Sequence, residues 1–83
     1  MQHIKWTMKY DLTEERVTTQ DGEAGVTYGL TCLGSHPQLP RGAVLASLPD
    51  ISCDLSFVHA MAELFTIGSL PPERLREAVA VLL

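Results

Sequence analysis

Ile4-Lys5-Trp6-Thr7-Met8-Lys9-Tyr10-Asp11-Leu12-Thr13 alternates apolar and polar side chains without a break. A period of two places Ile4, Trp6, Met8, Tyr10 and Leu12 on one face of an extended segment and the polar set on the other. The stretch therefore predicts a half-buried β-strand, with Thr13 to Thr19 extending it and Val17 turned inward. Val26, Tyr28, Leu30 and Cys32 repeat the pattern after Gln20-Asp21-Gly22-Glu23. Asp-Gly favours a hairpin turn, because glycine adopts positive φ without a Cβ clash. Two alternating runs around such a turn predict an antiparallel hairpin.

Composition from Gly34 to Gly42 predicts a loop, since Pro37 and Pro40 lack the amide that a central ladder needs. Ala43 to Leu48 then reads as a short third strand, which Pro49 ends or confines to an edge. Ser52 or Asp54 can cap the next segment. There Leu55, Val58, Met61, Ala62 and Phe65 recur at helical spacing, and Gly68 is placed to stop the helix. Pro71-Pro72 opens a second helix with Leu75, Ala78, Val79 and Leu82 as its apolar stripe.

The 83 residues make one domain, 1–83. The predicted class is α+β: a three-stranded antiparallel β-meander covered on one face by a C-terminal helical hairpin, β-β-β-α-α. Trp6, Tyr10 and Tyr28 belong to the covered face. Val81-Leu82-Leu83 is too apolar to stand in water, and is expected to dock on the sheet or on a second copy of the chain.

Six basic and ten acidic residues give a net charge of −4. The cations Lys5, Lys9, Arg16, Arg41, Arg74 and Arg76 are scattered, so no phosphate track forms and no nucleic-acid partner is expected. No apolar run is long enough to cross a bilayer, and no membrane partner is expected. The first residues alternate and lack the continuous apolar stretch of a signal peptide. Two cysteines make a weak disulfide framework, and the expected location is the cytoplasm.

Four residues could assemble a zinc site: Cys32, His36, Cys53 and His59. Their order alternates, whereas zinc fingers place both cysteines first. Two small buried cysteines and two surface histidines are the favoured reading, so no metal or cofactor is expected. Cys53 ahead of a helix is the better placed thiol nucleophile, but Asp54 opposes its ionisation and His59 lies too far along the helix to serve as a base. Glu14 and Glu15 face opposite sides of a strand and share no site. Asp50 and Asp54 read as turn and cap residues. Pro37-Gln38-Leu39-Pro40-Arg41 is similar to a polyproline ligand, yet it sits in a closed loop. No catalytic set is legible, and no enzyme is expected.

In three places the chain resembles a domain-of-unknown-function family of short proteins from Gram-positive anaerobic bacteria. These are Tyr10-Asp11-Leu12-Thr13-Glu14-Glu15, then Asp21-Gly22 with Thr27-Tyr28-Gly29, and Asp50-Ile51-Ser52-Cys53-Asp54 followed by Leu70-Pro71-Pro72. The resemblance spans nearly the whole chain. It implies a fold and carries no established chemistry.

The leading functional expectation is a small interaction module, an adaptor, regulator or inhibitor that binds another protein, with self-pairing into a homodimer included. A zinc- or cysteine-dependent activity centred on Cys32 and Cys53 is the first alternative. A structural subunit of a larger assembly is the second.

Overall fold

The computed structural model describes residues 7–83, and the side chains of all of these except residues 39–41. Ile4, Lys5 and Trp6 therefore lie outside the described residues. The element order is β1 (Thr7–Thr18), β2 (Ala24–His36), β3 (Leu39–Ser52), α1 (Leu55–Ile67), a single 3-10 turn (Pro72–Arg74) and α2 (Leu75–Leu82). The strands form one antiparallel sheet in the order β1-β2-β3, so β1 and β3 are its edges. Both helices lie on one face, α1 mainly against β1 and β2, and α2 against β3. This is the β-β-β-α-α architecture that the alternation predicts.

β1 pairs with β2 from Thr7↔Ser35 to Thr18↔Ala24 without a shift. Its loop is closed by Thr19 and Glu23: the Thr19 N–H donates to the Glu23 carbonyl at 2.9 Å, and the Gly22 N–H to the Thr19 carbonyl at 2.9 Å. Gly22 has φ 80°, the left-handed conformation that this turn requires. An unbroken register keeps strict alternation, so Val17 lies on the face opposite Tyr10 and is half-buried there. The inward placement of Val17 is thus corrected: it needs a bulge that β1 lacks.

The predicted loop from Gly34 to Gly42 is also corrected. β2 runs on to His36, Pro37-Gln38 alone make the turn, and β3 starts at Leu39. The Gln38 N–H donates to His36 Nδ1 at 3.1 Å within that turn. β3 is likewise longer than Ala43 to Leu48, because an edge strand hydrogen-bonds on one side only. A proline whose nitrogen faces away from the sheet breaks no ladder bond there, which admits both Pro40 and Pro49.

β3 is irregular where it leaves the sheet. Tyr28 pairs with Ser52 and Leu30 with Leu48, so Gly29 alone opposes Pro49-Asp50-Ile51. A Cβ on Gly29 would lie 2.5 Å from the Leu48 carbonyl oxygen and 2.7 Å from Pro49 Cα, so this crossing needs glycine. Asp50 takes φ 56° at the bulge, and its carboxylate accepts the Thr27 hydroxyl at 2.7 Å. That bond satisfies a threonine that is 2% exposed. The bulge swings the chain into α1. There the Phe57 N–H donates to the Asp54 carboxylate at 3.2 Å, and the Asp54 N–H to the Ser52 hydroxyl at 3.0 Å. Asp54 is the cap, and Ser52 holds it.

The core is Tyr10, Leu30, Cys32, Val58, Met61, Ala62, Phe65, Leu75 and Val79, all buried. Leu30 and Val58 are fully enclosed, and burial of such side chains contributes about 1.5–3 kcal/mol each. Tyr28 is half-buried against this cluster. Two members of the predicted helical stripes stand partly in water: Leu55 is 46% and Leu82 43% exposed. Val81-Leu82-Leu83 does not dock on the sheet as expected. Val81 is 84% and Leu83 72% exposed, because α2 turns only Leu75 and Val79 fully into the core.

Gly68 ends α1, but the left-handed position falls on the next residue, Ser69, with φ 51°. The Leu70 N–H donates to the Phe65 carbonyl at 3.0 Å, and the Ser69 N–H to the Thr66 carbonyl at 3.2 Å. This is a Schellman ending with serine where glycine is the common choice. Ser69→Gly should relieve that strain and raise stability by about 0.5–1 kcal/mol, after the entropy that glycine adds to the unfolded chain. Gly29→Ala should lower stability by about 1–3 kcal/mol, because its new methyl meets backbone that cannot yield. Thermal melts of the two variants, moving in opposite directions, check both.

Candidate functional site: the groove between β1 and α1

An edge strand leaves alternate peptide groups unpaired, and α1 closes over part of that edge. The Tyr10 N–H, turned away from β2, donates to Thr66 Oγ1 at 2.9 Å. Thr66 Oγ1 in turn donates to the Ala62 carbonyl one helical turn back, at 2.7 Å. The Tyr10 hydroxyl donates to the Leu70 carbonyl at 2.7 Å, just past the end of α1. Its ring meets Phe65 edge to face, with centroids 5.7 Å apart and planes at 71°. Tyr10 therefore fixes the C-terminal half of α1 along the β1 edge through backbone, ring and hydroxyl together.

Between edge and helix lies an open groove of about 770 Å³. Tyr10, Leu12, Ala62, Thr66 and Ile67 give it an apolar character. Its rim is charged on both sides. Lys9 and Asp11 form an exposed ion pair at 3.4 Å on the strand, and His59 and Glu63 approach to 3.7 Å on the helix. Exposed pairs of this kind contribute at most about 1 kcal/mol, so they shape the rim more than they hold the fold. Ile67 stands at the groove 83% exposed. A second, smaller concavity lies among Leu70, Arg74, Glu77, Ala78 and Val81.

The residues singled out for zinc chemistry are spread over the fold. Cys32 is fully buried on β2 beside Tyr10 as expected, but the burial expected of Cys53 is corrected: it is exposed just ahead of α1, where the chain has left the sheet, and the two thiols are not bonded to each other. His36 is engaged in the Pro37-Gln38 turn, and His59 faces Glu63 on α1. Among the described residues no three His, Cys, Asp or Glu side chains cluster as a metal set. Burial pushes the Cys32 thiol pKa up, which holds it protonated, and the neighbouring Tyr10 hydroxyl opposes this only in part. The Tyr10 phenol is also raised far above its ordinary value. Removal from water is the main cause, the neighbouring Cys32 adds to it, and Glu73 adds least.

The alternation of β1 places Tyr10 in the core but does not show its role at the edge. Thr66 carries no signal either: a threonine on a helix gives no sign that its hydroxyl meets a strand amide 56 positions away. No helix among the described residues is long and apolar enough to cross a membrane. No family model, curated protein or solved structure matches the chain. The functional reading therefore stands on the geometry of these surfaces.

Both raised groups lose a proton more easily in the unfolded chain than in the fold. Their contribution is full below the ordinary thiol value of about 8.5, and declines as pH climbs past it and then past about 10. Chemical-denaturation midpoints should thus fall steadily across that alkaline window. In Tyr28→Phe, where Tyr10 is the one remaining tyrosine, absorbance near 295 nm should show phenol ionisation only well above the free-tyrosine range; ionisation at the ordinary value would contradict the buried clamp. Thr66→Val keeps the shape but strands the Tyr10 amide, and should cost about 1–3 kcal/mol in the same denaturation assay.

Proposed function

We propose that this chain is a small, non-catalytic protein–protein interaction module, an adaptor, regulator or inhibitor working in the cytoplasm. The observation that carries the reading is the groove beside β1: an apolar lining with charged rims, and Ile67 left 83% exposed at it. Protein contact surfaces combine an apolar centre with a polar rim in this way. Val81, 84% exposed beside the second concavity, supplies another apolar contact point. Large side chains so exposed add little to the stability of the isolated chain, and their burial against a partner would release water from them.

Affinity capture with the tagged chain, read by quantitative mass spectrometry, tests the proposal. Ile67→Glu and Val81→Glu should fold normally by circular dichroism, since both positions face water. Ile67→Glu should reduce recovery of a specific partner by about tenfold or more, as loss of a central apolar contact does. Cys32→Ala and Cys53→Ser should leave recovery unchanged. A chain that retrieves nothing above control, or retrieves the same proteins with either glutamate in place, would count against the module reading. A phenotype that follows the cysteines would favour the thiol alternative instead.

A further inference from the structure

The sheet treats its two edges differently. β3 carries Pro40, Pro49 and three shifts of register against β2. Each of these devices spoils the pairing of a further strand. β1 has no such irregularity: every residue from Thr7 to Thr18 pairs in register with β2. Its edge is plugged at Tyr10 by Thr66, and the groove against α1 reaches no further along the strand than Leu12. In an antiparallel strand the N–H and C=O of one residue point the same way, and neighbouring residues reverse. Since the Tyr10 amide points away from β2, Leu12, Glu14, Arg16 and Thr18 also turn their peptide groups to the free edge. Glu14, Glu15, Arg16 and Thr18 are all exposed.

Charges on an edge commonly discourage pairing. Here their order is self-complementary. We propose that the Leu12–Thr18 stretch of β1 pairs antiparallel with the same stretch of a second copy of the chain, centred on Glu15, joining two sheets across a two-fold axis. This rests on the interaction-module reading and names one partner for it. In that register Glu14 lies opposite Arg16 of the second copy, and Arg16 opposite its Glu14. Both residues belong to the outward-pointing set, so these are hydrogen-bonded pairs, as antiparallel geometry requires. Thr13 meets Val17, and Leu12 meets Thr18. Moving the centre to Glu14 sets Glu14 against itself, and moving it to Arg16 sets Arg16 against itself; each loses both opposite-charge pairs. A two-fold contact uses one patch twice, so a single Glu-x-Arg supplies two attractive pairs. One unfavourable contact remains, Glu15 facing its twin on the axis.

Sedimentation velocity across a micromolar concentration series, on the full chain, tests the pairing. The unaltered protein should show a monomer–dimer equilibrium. Glu14→Arg and Arg16→Glu should each weaken it by roughly tenfold, because each turns two attractive pairs into two repulsive ones. An equal mixture of the two variants should recover association to within about threefold of the unaltered protein, since the mixed dimer again holds two opposite-charge pairs. Glu15→Gln should tighten the dimer. These positions are exposed, and circular dichroism would register any loss of fold. A chain monomeric at every concentration, or a dimer indifferent to both reversals, overturns the proposal. If that chain still captures another protein in an Ile67-dependent way, the module reading survives and only the self-pairing falls.

Discussion

Tyr10 couples the sheet to the helical layer, and the rest of the arrangement is built around that junction. Its amide, ring and hydroxyl engage three successive parts of one helix end: Thr66, Phe65 and the Leu70 carbonyl. The contact is demanding because it is part polar and mostly buried. A tyrosine 4% exposed must place its hydroxyl on an acceptor or lose the bond to water uncompensated. The Schellman turn supplies that acceptor, since it ends α1 abruptly enough to bring the Leu70 carbonyl over the ring. Strain at Ser69 is the local cost of this abruptness. A shift of α1 by one turn would strand the Tyr10 amide, its hydroxyl and the Phe65 contact together.

The same junction explains how a three-stranded sheet is kept from unselective growth. α1 occupies the β1 edge at Tyr10, and β3 protects its own edge through proline and bulges. The large bulge at Pro49-Asp50 does two things. It ends regular pairing on that edge, and it turns the chain across the sheet so that Asp54 can start α1 over the apolar face. Gly29 and the Thr27–Asp50 hydrogen bond make the bulge possible, one by lacking a side chain and the other by filling the space with a satisfied polar pair. Functional surface is what these devices leave over: the groove beside α1, the regular reach of β1 beyond Leu12, and the exposed apolar groups Ile67 and Val81.

Much of the architecture is legible from periodicity. Met8, Tyr10 and Leu12 alternate because one face of a strand is buried. Val58, Met61, Ala62 and Phe65 recur at helical spacing because one stripe of a helix is buried. Asp-Gly and Asp54 mark boundaries correctly because turn and cap preferences are local; Gly68 marks the end of α1 although the left-handed position there falls on Ser69. The misreadings have a common cause. Pro37, Pro40 and Gly42 look like a loop when each residue is judged alone; Pro40 fits a strand because β3 is an edge, and Gly42 because it takes positive φ where the register against β2 shifts. The apolar character of Val17 suggests an inward side chain, whereas the register against β2 decides its side. The groove is not legible at all, since Thr66 and Leu12 share no local pattern.

By itself, then, the sequence determined the kinds of element, their order, and the side of each that is buried, because period, capping and turn chemistry act over a few residues. Only the tertiary structure decided where β3 begins, that Thr66 and Leu70 receive Tyr10, and which apolar groups remain in water. Those outcomes depend on contacts between residues far apart in the chain, for which a hydrophobic pattern specifies a face but no partner.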